Sequence, residues 1–182
     1  MSFQHLGLVS FLLLFGGAAL IIRKWPLGKH QTVSQHVAAN KRLAWCFVLL
    51  SAIFLSLFLP FLAHWFIPTF HISIWFSVFV TVASTAQFAS ALIPEVGGWK
   101  TQWHRALAGM TAVSLAPALI VLLSTDAVPM AGKAVTWFCL AVMAIILVLL
   151  IKSGGKHSHF LVLQFSYFGA FFVPILFITY ML

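Results

Sequence analysis

The chain is nearly free of acid. Glu95 and Asp126 are its two carboxylate side chains in 182 residues, and charged residues of either sign make up 7% of the whole. Soluble domains carry about 25% charged residues, so an aqueous globule is excluded. Two isolated acids also leave no paired carboxylates for general acid–base chemistry. No Asp, Glu, Lys or Arg falls near the middle of any long apolar run. This removes the intramembrane ionisable group on which ion-coupled pumps and proton relays depend. Cysteine is scarce as well. Cys46 and Cys139 lie at opposite ends of the bilayer in the topology drawn below and form no CxxC, so free thiols are expected. A Gly-rich phosphate loop is missing, as is any serine with a recognisable base and orienting acid.

Apolar sequence fills the space. Hydrophobic residues make up 63% of the chain, and several runs approach or exceed the ~18–20 residues that cross ~30 Å of hydrocarbon. The predicted fold class is all-α: one polytopic domain over residues 1–182, a six-helix transmembrane bundle. Its spans are about Leu6–Ile22, Leu43–Leu62, Ile72–Ile93, His104–Leu123, Ala134–Ile151 and His159–Met181. The opening MSFQHLGLVSFLLLFGG lacks the basic start of a secretory signal and reads as a retained first helix. Its Gly16-Gly17-Ala18-Ala19 patch allows close helix approach. Ser34 reads as an N-cap from which QHVAANKR runs helically into LAWCFVLL. Pro60, Pro117 and Pro174 are evenly spaced, one in each even-numbered helix, which suggests three successive helical hairpins.

Orientation follows from the cations. The formal net charge is +8, and its placement argues for membrane topology over nucleic-acid binding. Arg23, Lys24, Lys29, Lys41 and Arg42 flank or fill the first loop, Lys100 and Arg105 the third, and Lys152 and Lys156 the fifth. The even loops hold Lys133 alone. Basic loops stay cytoplasmic, so both termini are expected outside. The tryptophans agree: Trp25, Trp45, Trp99 and Trp103 fall at inner boundaries, and Trp65, Trp75 and Trp137 at outer ones, as amphipathic rings prefer.

The chemistry concentrates between Ile72 and Ala116. In the third helix Ser77, Thr81, Ser84 and Gln87 recur at steps of three and four and are expected to share one face, turned from lipid toward other helices. Gln164, Ser166 and Tyr167 of the sixth helix are candidates for the same space. The turn that follows brings Glu95 near Trp99, Trp103, His104 and Arg105. This group is the candidate lipid or anion rim. His104 and Arg105 are expected to open the fourth helix, where the helix dipole disfavours cations, so an anion such as Glu95 or a lipid phosphate should offset them. Eight histidines are many, yet none is central, so intramembrane haem is not expected. His36, Glu95, His104, His157 and His159 are candidate metal ligands at the inner rim, drawn from separate loops without HxxxH or HExxH spacing. No cofactor is expected.

TVSQHVAANKR before the second helix, and LIPEVGGWKTQWHRALA joining the third and fourth, resemble a group of small six-helix prokaryotic membrane proteins catalogued as a domain of unknown function, the one numbered 998. The resemblance covers essentially the whole chain and implies six helices in a prokaryotic cell membrane. It carries no activity and gives no residue a role. The leading functional expectation is a non-enzymatic membrane protein that binds lipid, or a partner subunit or second copy of itself, through the inner-leaflet rim. The alternatives are a small-solute facilitator lined by the third helix and a metal-dependent lipid-modifying enzyme.

Overall fold

The structure is a computed structural model that describes residues 3–24, 40–93, 95–152 and 160–180. Every described element is a helix: α1 (Phe3–Lys24), α2 (Lys41–Phe70), α3 (Ile74–Leu92), α4 (Gly98–Leu123), α5 (Met130–Lys152) and α6 (Phe160–Tyr180). All six are long and apolar enough to cross a membrane. At about 1.5 Å per residue, even the 19 residues of α3 reach nearly 30 Å. The closest associations pair α1 with α2, α3 with α4 and α5 with α6, so the chain is built of three consecutive hairpins. Pro60, Pro117 and Pro174 each lie inside the second helix of one of them.

Helix boundaries depart from the expected ones where local chemistry overrides hydropathy. Asn40, not Ser34, caps α2. Its backbone is extended, and its side-chain oxygen accepts from Arg42 N at 3.0 Å and Leu43 N at 3.4 Å. The expected helical run through QHVAANKR is therefore broken at Asn40, while Ser34 itself lies outside the described residues. At its other end α2 continues beyond Leu62 to Phe70. A proline at 60 removes one backbone donor, and the helix widens into a single π-turn at Leu62–Phe66 before resuming. His71 in the left-handed conformation ends it, and Ser73 caps α3 by accepting from Trp75 N. The fourth helix begins at Gly98, not His104.

The core is aromatic and lies toward the His71 end of the bundle. Phe58, Phe61, Phe66, Phe70 and Phe76 are all at most 2% exposed, and their rings meet in a chain of contacts 5.3–6.0 Å between centroids. Leu119 and Leu122 of α4 and Ile175 and Ile178 of α6 close the layer. Helix α1 approaches this plug through Gly7, where a Cβ would sit 2.9 Å from the Phe61 ring. In the small-residue patch Gly17 lies over Leu50 and Ala18 is buried, whereas a Cβ on Gly16 would meet nothing.

Candidate functional site

The α3–α4 turn is built around two glycines in the left-handed region, Gly97 at φ 98° and Gly98 at φ 57°. A Cβ at either would touch nothing, so the demand for glycine is conformational. An L-residue there costs roughly 1–2 kcal/mol. Gly98→Ala is accordingly expected to lower stability by about 1 kcal/mol, read as a small drop in melting temperature with the helical signal intact. Thr101 secures the turn by accepting from Gly97 N at 2.8 Å.

The helix start at Gly98 corrects the dipole argument. His104 and Arg105 lie in the second turn of α4, and the effect of the dipole fades within the first. Lys100 occupies the first turn, its ammonium 5.9 Å from the centre of the Trp99 ring. His104 and Arg105 also part company. Arg105 extends outward and brings Nε and an Nη to Glu95 Oε1, each at 3.0 Å. Its side chain is 68% exposed while that of Glu95 is 6% exposed. An exposed arginine over a carboxylate contributes about 1 kcal/mol or less.

His104 turns inward and is 8% exposed. Its Nδ1 lies 2.9 Å from the Ser90 carbonyl oxygen and 2.8 Å from that of Ile93. Both partners can only accept, so Nδ1 carries the proton and donates to both. The last carbonyls of a helix have no partner within it. His104 supplies one to the end of α3 from the neighbouring helix, and in the neutral ring Nε2 is left as an acceptor.

Beside His104 opens a vestibule of about 370 Å³, lined among others by Lys41, Trp45, Gln87, Ser90, Ala91 and Gln164. Lys41, Trp45 and Leu92 are exposed, so it reaches the surface at that end. Deeper in the bundle lies a chamber of about 100 Å³ among α1, α2, α3, α4 and α6. Phenylalanines dominate its walls, with Ser51, Ser84, Gln87, Thr111 and Gln164 as the polar exceptions. Phe47, Gln87 and Gln164 line both spaces and mark the waist between them. Thr111 is satisfied by its bonds to Leu107 and Ala83 carbonyls. Gln164 is not: its Oε1 is buried without a hydrogen-bond partner. Toward the His71 end the chamber stops at the phenylalanine plug.

The polar face of α3 is divided. Ser84 and Gln87 line the chamber, but Thr81 is exposed and Ser77 half-buried, while Phe76, Val80, Ala83 and Ala86 take the inward stripe. Thr81 is a correction to the expected inward face: close packing on α4 selects alanine and valine for the inward stripe and leaves Thr81 exposed. On α6, Gln164 faces the space as expected. Tyr167 is buried and donates to the Ala112 carbonyl, and Ser166 is exposed. Sequence reasoning missed Ser51, which shares a helical face with Phe47, Phe54 and Phe58. A serine at that step was the available signal. Trp45, Trp99 and Trp103 are 58–70% exposed around the vestibule end of the bundle.

Among the described residues, no group of three or more His, Cys, Asp or Glu side chains could hold a metal. His36, His157 and His159 lie outside them. Cys46 is exposed and Cys139 buried, both as free thiols. Asp126 lines a separate groove at the His71 end with His71, Ser73, Ser124 and Thr125. No family model matches this chain, and no curated protein or solved structure is detectably similar to it.

Proposed function

We propose that the protein is a non-enzymatic, multi-pass protein of a prokaryotic cytoplasmic membrane that binds lipid at its cytoplasmic rim, with both termini outside. The observation that carries this reading is the vestibule. It opens beside Lys41 and Trp45, a ring suited to the interface, and leads inward past amides to an apolar chamber. Positive charge gathers at this end, as expected of a cytoplasmic face next to anionic lipid. The likeness of TVSQHVAANKR and LIPEVGGWKTQWHRALA to the six-helix prokaryotic group supports the setting and is part of the proposal.

Native mass spectrometry of the protein released from mild detergent tests it. The wild-type chain is expected to retain stoichiometric phospholipid, and Ala91→Trp, which fills the vestibule, to lose most of it. Equal retention by both would refute the reading, as would a fusion reporter that places the Lys29–Lys41 loop outside.

A facilitator is the second reading, favoured by Ser84 and Gln87 on the chamber wall. It requires the phenylalanine plug to open, with the π-turn as the weakest part of α2. It predicts solute flux in liposomes that falls when Gln87 is made leucine.

A further inference from the structure

We infer that, inward of the phospholipid held at the Lys41 mouth, the waist and chamber hold one single-chain lipid with a neutral, hydroxyl-bearing head group. The head lies at the waist near Gln87, Gln164 and His104, and the chain lies in the phenylalanine-lined chamber. This rests on the reading that the vestibule takes lipid, and it names the chemical class of the lipid held deeper in.

The head group follows from the hydrogen-bond inventory. Gln164 Oε1 is buried and unpartnered, and buried amide oxygens are almost always paired. It needs a donor. The amide nitrogens of Gln164 and Gln87 offer donors, and His104 Nε2 offers an acceptor because Nδ1–H is committed to the Ser90 and Ile93 carbonyls. A hydroxyl carries one donor hydrogen and two lone pairs. One hydroxyl donates to Gln164 Oε1 and accepts from the Gln87 amide, and a second donates to His104 Nε2, so a head group with two hydroxyls serves all three side chains. A carboxylate only accepts and leaves Gln164 Oε1 unserved.

Charge points the same way. Among the described residues that line either space, Lys41 at the mouth is the one that carries a permanent charge. An ionised head at the waist would be buried without a counter-charge, a costly arrangement. Shape then limits the tail. The chamber has a volume of about 100 Å³ against about 370 Å³ for the vestibule, room for one slender chain rather than two. On the α1–α6 side the chamber wall is made of half-buried Leu14, Phe15, Phe165 and Phe168, a route by which the end of a long chain reaches lipid.

Radiolabelled 1-monooleoylglycerol binding to the full-length protein in detergent tests the inference, with oleate and dioleoylphosphatidylglycerol as competitors. Saturable binding of one monooleoylglycerol per chain is expected, with oleate competing at least tenfold more weakly. Gln164→Leu should weaken binding at least tenfold while leaving the ligand-free melting temperature unchanged or higher, since it removes the orphaned oxygen. A glutamine with a purely structural role would instead lower that temperature. Ser51→Leu, which fills the chamber, should abolish monooleoylglycerol binding and leave phospholipid retention at the wild-type level. The absence of saturable binding, equal competition by oleate, or wild-type affinity in both variants would overturn the inference. If phospholipid is still retained, the inference fails alone; if it is not, the rim reading fails with it.

Discussion

Replacing His104 with alanine is expected to destabilise the protein by about 1–3 kcal/mol, the loss coming from groups on another helix. The ring closes the end of α3 by donating from Nδ1 to the carbonyls of Ser90 and Ile93. Its removal strands the Ile93 carbonyl, costing about 1–3 kcal/mol where water cannot reach it, and takes one of two donors from the Ser90 carbonyl, which keeps the Ile93 N–H at 3.3 Å. The adjoining vestibule admits some water, so the sum should fall short of the full penalty. Asparagine can place an amide donor near the position of Nδ1, so His104→Asn should recover part of the loss and His104→Phe none. Thermal unfolding of the three variants in one detergent checks this. Equal stability of the asparagine and phenylalanine variants would show that ring volume, not hydrogen bonding, holds the hairpin. Arg105→Ala, by contrast, removes an exposed partner and should barely move the transition.

Phe61→Ala is expected to cost a comparable amount for a different reason. The side chain is fully buried, its ring 6.0 Å from Phe58, 5.9 Å from Trp65 and 5.6 Å from Phe66, with Gly7 pressed against it. Such truncations cost about 3–5 kcal/mol in soluble proteins, where the lost transfer from water and the cavity add together. Within a bilayer the transfer part shrinks, because lipid is as apolar as the core, and the packing loss remains. About 2–4 kcal/mol is the resulting expectation. A double-mutant cycle of Phe61→Leu with Gly7→Ala should show strong coupling, since the added methyl enters space that the shorter side chain vacates. Additive effects would contradict the close approach of α1.

Much of the architecture was legible because hydropathy and composition act over whole helices. Six long apolar runs, almost no acid and three evenly spaced prolines already describe six helices in three hairpins. The turn of α3 into α4 was legible as a locus, and Glu95 does meet Arg105. The registers were harder to read. GGWKTQW is polar enough to look like a loop, yet it forms the first turns of α4, since two positive-φ glycines begin the helix early. That shift moves His104 from a helix tip to a buried position. Periodicity alone placed Thr81 on the inward face because it weighs hydroxyls alike and does not register which side of α3 must fit closely against α4. The waist was legible in part: Gln87 and Gln164 were candidates for one space, but their meeting with Phe47 depends on helices far apart in sequence.

The central claim is a cavity open at the Lys41 end and sealed by phenylalanines at the other. Cysteine accessibility of a Gln87→Cys variant tests it most directly, in a background where Cys46 and Cys139 are replaced by serine and in membrane vesicles of known sidedness. A small membrane-impermeant thiol reagent is predicted to label the introduced thiol from the cytoplasmic face alone, and added monooleoylglycerol is predicted to protect it. A Phe61→Cys control should stay unlabelled from both faces. Labelling of the Gln87→Cys variant from the external face, or from neither, would contradict the account.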